Sequence, residues 1–108
     1  MAVTVAASGS QTATASEVTI SSAQTTAGVY VLQLDMANMA AGDVVEIYIY
    51  TKTLSGSTAH LLDKVTFANA QGDPNWQSVP VVVPYSIEYK LKQPTGTGRS
   101  IDYAIVSL

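Results

Sequence analysis

Apolar and polar residues alternate with a period of two through most of this chain, and that spacing constrains the fold more than any other feature. A strand sends successive side chains to opposite faces, so such a run buries one face and wets the other. Val45, Ile47 and Ile49 alternate with Glu46, Tyr48 and Tyr50, and the polar register continues to Lys52. Tyr85, Ile87, Tyr89 and Leu91 alternate with Ser86, Glu88, Lys90 and Lys92. Ile101, Tyr103 and Ile105 alternate with Asp102, Ala104 and Val106. Tyr30, Leu32, Leu34 and Met36 share one parity, with Gln33 and Asp35 on the other. Leu61, Asp63, Val65 and Phe67 give a rougher pattern, which predicts an edge or a bulge near Asp63. Val81–Val83 lies between Pro80 and Pro84; proline cannot donate to a ladder, so this strand is short and at an edge or bulged.

Turn residues punctuate these runs: Ala37 to Gly42, Ser55-Gly56-Ser57, Gln71 to Asn75, and Pro94 to Gly98. Short strands at regular spacing with no helical window predict an all-β fold. The expected architecture is a single antiparallel β-sandwich of jelly-roll type, with an extended N-terminal arm; a barrel is the alternative. Residues 1–27 are dominated by Ala, Ser, Thr, Gln and Val, with one β-type patch at Glu17 to Ser21. Two readings of the first part stand open: an ordered first strand with loose ends, or an arm that orders against a neighbouring subunit. The expected division is an arm over residues 1–16 and a sandwich over 17–108.

At 108 residues the chain is sized for one domain. Only 12 % of it is charged, about half of the usual ~25 %. A surface covered instead by Ser, Thr, Ala, Gln and Asn suits packing against other subunits. The formal net charge is −3, with five Lys and Arg in all. So few cations argue against a phosphate-binding surface, and no nucleic-acid partner is expected. Without cysteine there is no disulfide framework and no thiolate metal site. Met1 to Gln11 lacks a basic start and a continuous apolar core, so no signal peptide is expected. No apolar run reaches the length of a membrane-spanning helix, and no membrane association is expected.

No arrangement of residues points to catalysis. His60 is the one histidine, with Ser55, Ser57 and Asp63 nearby in sequence, but a triad is set by geometry and the nucleophile-elbow pattern is missing. Asp35, Asp43 and Glu46 lack calcium-loop spacing. Gly96-Thr97-Gly98-Arg99-Ser100 resembles a phosphate loop, yet a strand follows it where such loops need a helix. No catalytic residue, metal or cofactor is therefore expected. Arg99, the one arginine, sits at a turn and serves either an internal ion pair, with an acid such as Asp102, or an interface. Trp76 is a core plug, a partner anchor or a sugar platform. Tyr48 and Tyr50 form an aromatic stripe on the polar register of their strand. With Glu17, at the start of the β-type patch, Arg99, Trp76, Tyr48 and Tyr50 are the candidate interface residues.

The stretches Asp43 to Gly56 and Tyr89 to Ser100 resemble small virion proteins of tailed bacteriophages. The resemblance covers roughly the last two-thirds of the chain and is carried by structural turns. It implies a capsid cement (decoration) protein, a trimer on the exterior of the head that binds the major capsid protein at capsomer junctions and is made in the host cytoplasm. It brings no catalytic residues. A tail- or fibre-associated structural protein and a carbohydrate-binding module are the alternatives.

Overall fold

The computed structural model describes residues 3–108, and these form nine strands in two antiparallel sheets with no helix. Sheet A runs β1 (Thr4–Thr12), β9 (Ser100–Ser107), β3 (Gly28–Asp35); β6 (Asn75–Gln77) and β7 (Val81–Val83) share its far edge, each pairing with one part of β3. Sheet B runs β2 (Val18–Thr19), β8 (Ile87–Thr95), β4 (Val44–Thr51), β5 (His60–Ala68). The pairings are nested. β4 pairs with β5, β3 with β6 and β7, β2 with β8, and β1 with β9.

The alternating runs explain why the sheets face each other. Tyr30, Leu32 and Leu34 of β3 and Ile101 and Ile105 of β9 point inward from sheet A. Val45, Ile47 and Ile49 of β4 and Ile87, Tyr89 and Leu91 of β8 meet them from sheet B, all at most 3 % exposed. Burying each such side chain contributes about 1.5–3 kcal/mol. One inward group is out of place: the Tyr89 hydroxyl is buried without a hydrogen-bond partner among the described residues. Burial pushes the pKa of that phenol far up, with Tyr30 as a lesser cause.

β5 is an edge strand, and its ladder with β4 slips between Ile49 and Tyr50, where Leu62 is the extra residue beside Asp63. β7 is a short edge strand between its two prolines. β6 was not foreseen, because three residues around Trp76 are too few to show alternation. β8 extends to Thr95, so Pro94 lies within the strand rather than in the turn; the β4–β8 register shifts between Val44 and Glu46, close to it.

Of the stretch expected as an arm, Thr4–Thr12 is strand β1, laddered to β9 from Thr4 opposite Ser107 to Thr12 opposite Ser100. It is extended, and it docks within its own chain through backbone hydrogen bonds rather than buried side chains: seven of its nine residues are exposed. The boundary expected after residue 16 falls in the link between β1 and β2, and Met1 and Ala2 lie outside the described residues.

Candidate functional site

The sandwich offers two broad outer faces of opposite character. On sheet B, the side of β4 turned away from the core carries Glu46, Tyr48 and Tyr50. The two tyrosine rings stack 6.5 Å apart at 20°. Lys64 Nζ lies 5.5 Å from the centroid of the Tyr48 ring, and Lys90 Nζ lies 5.1 Å from that of Tyr50. Tyr48 donates its hydroxyl to Glu46 Oε1 at 2.8 Å, and Lys64 Nζ meets Glu46 Oε2 at 2.7 Å. Tyr50 donates to Glu17 Oε1 at 2.6 Å, which ties the start of the β2 region onto β4.

These contacts set the protonation states. The Lys64 ammonium and then the Tyr48 hydroxyl hold the Glu46 carboxyl below its ordinary value, and the same carboxylate raises Lys64. The bond to Glu17, followed by burial, pushes Tyr50 up to about 12. Glu17, Tyr48 and Tyr50, three of the five candidate interface residues, are thus brought together. Their polar atoms are already engaged within the chain.

Sheet A is different. On β3, Val29 and Val31 point away from the core, and on β9 Val106 does the same. Val31 stands opposite Val106, Val106 opposite Val5, and Val29 opposite Val82. Val31 and Val106 are only 5 % and 8 % exposed although they lie outside the core cluster. Around them Val5, Val79, Val82 and Leu108 are open to solvent. The result is an uncharged valine stripe. Sequence reading passed over it because the inward parity of the same strands is apolar too; a strand apolar on both parities, as in Gly28 to Leu32, signals burial on both faces. Toward the other end of β3 the face turns polar, and a groove of about 450 Å³ is lined by Gln33, Asp35, Asn75, Gln77 and Asp102, with Trp76 at its wall. Gln33 donates its amide to Gln77 Oε1 at 3.0 Å, and Ser10 donates its hydroxyl to Asp102.

Arg99 and Trp76 belong to neither the tyrosine cluster nor the valine stripe. Arg99 Nε donates to Asp43 Oδ2 at 2.6 Å, not to the neighbouring Asp102. Asp43 is 2 % exposed, and its Oδ2 also accepts the Ala40 N–H at 2.9 Å. That backbone bond first, and the Arg99 guanidinium second, hold its carboxyl below the ordinary value. The pair clamps the turn before β4 to the turn between β8 and β9. Gly96 is required there: its φ is +100°, and a Cβ would fall 2.1 Å from Asp43 Oδ1. Gln93 completes the clamp, donating to Thr97 O at 2.6 Å and accepting the Arg99 N–H at 3.0 Å.

Trp76 packs edge-on against Phe67 of β5, with centroids 5.2 Å apart, and closes the side of the sandwich where β5 and β6 approach. His60 is exposed at the start of β5, and no hydrogen bond joins it to Ser55, Ser57 or Asp63 among the described residues. Nor do the described residues hold a group of three or more His, Asp or Glu placed to bind a metal.

No family model, curated protein or solved structure matches the chain.

Proposed function

We propose that the protein is a structural virion component that binds and stabilises a bacteriophage head as a cement protein at capsomer junctions. The observation that carries this reading is the valine stripe on sheet A. A rigid sheet presents it, it bears no charge, and it offers apolar area to a protein partner without the cost of stripping water from ions. The major capsid protein is that partner, the capsid exterior is the place, and the unit assembled on the shell is a homotrimer. The strand order supports a jelly roll: β6 and β7 count as one edge position, which leaves four positions in each sheet, filled by nested pairs. Such double sheets are frequent in viral shells. Catalysis has no part in this reading; the turns and faces are the working surfaces.

Binding to purified expanded shells tests it. Added protein is expected to co-sediment with shells and raise their resistance to heat; shells that neither bind it nor gain resistance would refute the reading. The groove beside Asp35 and Asp102 favours one second reading, a carbohydrate-binding module, since amides and carboxylates at a concave face suit hydroxyl groups. Glycan-array screening with no hit removes it.

A further inference from the structure

We infer that two copies of this chain pair edge to edge through β1 about a two-fold axis, so that sheet A runs on from one copy into the other. Exposed strand edges present unpaired N–H and C=O groups and are commonly blunted by shortness, proline, charge or bulges. Three of the four edges here are blunted in these ways. The edge of sheet A away from β1 is divided into β6 and β7, three residues each, with Pro80 before β7 and Pro84 after it. At one edge of sheet B, β2 is two residues long. At the other, β5 is bulged near its middle and carries Asp63 and Lys64 there.

β1 is the exception. It is nine residues long, with neither charge nor proline. Its one irregularity lies between Val5 and Ala7, and from Ala7 to Thr12 it keeps regular register with β9. Ala6, Ala7, Ser8, Gly9 and Ser10 are small and leave the backbone edge bare over that stretch, while beyond it the Gln11 amide donates to Thr12 O at 3.3 Å. Both faces of the strand are largely exposed as well.

The lack of charge also identifies the occupant. A two-fold axis sets a strand against itself, so charges on β1 would be brought toward their own copies across the junction, and at the axis directly opposite them. β1 has none. Antiparallel self-pairing gives each copy a partner of matching length and leaves the valine stripe uncovered, so the inference goes beyond the proposed function without resting on it. Nine residues a side fall well short of the roughly 20–30 of a standard interface. The association is therefore weak and concentration-dependent.

Sedimentation of the full chain over a wide concentration range tests this. The mass is expected to rise from one copy to two, and hydrogen exchange of β1 amides to slow with concentration while that of β5 amides does not. The doubles Ser8→Lys/Thr12→Lys and Ser8→Glu/Thr12→Glu place charge on exposed positions of the regular part of β1. Each is expected to stay at one copy alone, and an equimolar mixture to recover pairs. Thr53→Lys/Ser55→Lys, in the exposed turn before β5, is expected to pair as the parent does. Thermal unfolding confirms that each variant is folded. A mass of one copy throughout, a mass of three copies, or doubles that pair by themselves would overturn the inference. Shell binding is measured separately, so loss of pairing and loss of docking are told apart.

Discussion

The outer faces of the two sheets have the same strand geometry and opposite chemistry. Sheet B carries Glu17, Glu46, Lys64, Glu88 and Lys90 around two stacked tyrosines, and its ions and hydroxyls find partners on the same face. Sheet A carries valines across β1, β9, β3 and β7, and none of the described residues covers the outermost of them. Charge and aromatic rings are often read as marks of an interface. Here those groups complete one another, and the plainer aliphatic face is the one left with unmet burial.

The strongest challenge to this contrast is Val31→Asp. Val31 is 5 % exposed beneath its neighbours, and an unpaired carboxylate there is expected to cost on the order of 3–5 kcal/mol in denaturant unfolding. A cost below about 0.5 kcal/mol, the range of ordinary surface changes, would show that the stripe is as wet as a normal surface.

A smaller effect, on sheet B and the turn clamp, follows from pH. Glu46 and Asp43 have folded pKa values held below their ordinary 4.5 and 3.8. Their stabilisation is full above those ordinary values and is lost as pH falls through the lower folded ones. The thermal midpoint is expected to drop on acidification below about 4.5, and Glu46→Gln to flatten the first part of that fall. At neutral pH that substitution is expected to cost about 1 kcal/mol, because Lys64 is substantially exposed and its pairing is screened by water.

Between the faces, Tyr89 gives the interior reference. Removing its unpartnered hydroxyl in Tyr89→Phe is expected to raise stability by about 1 kcal/mol. A loss of stability would mean that the hydroxyl has a partner, such as a buried water. The gentlest test is spectroscopic. Tyrosinate absorbance is expected to show Tyr50 ionising near 12, and Glu17→Gln to bring it down toward 10. An unchanged titration would mean that burial, not Glu17, holds the proton.

The sequence was most informative where burial itself writes the pattern. β4 and β8 each turn one apolar parity to the core, so their inner faces were readable residue by residue. β1 was not, because Thr, Ala, Ser and Gly bury little, and backbone pairing with β9 leaves no imprint on side-chain polarity. The partner of Arg99 was missed for a related reason. Asp102 is near in sequence, whereas Asp43 is 56 residues away and reaches Arg99 only because two turns meet in the folded chain. Tyr48 and Tyr50 were placed on the outer register from alternation alone, but Lys64, Lys90 and Glu17 come to them from three other segments.

The nested pairing dictates an order of assembly. β4 and β5 are neighbours in the chain and can close early, whereas β9 has to slot between β1 and β3, with Ser107 beside Thr4. Contacts of such long separation form slowly. Until the last strand arrives, sheet A has a gap at its middle and two facing open borders, while most of sheet B can already exist. Without β9 the chain holds half a sandwich, and its exposure to mispairing is governed by how quickly that strand inserts.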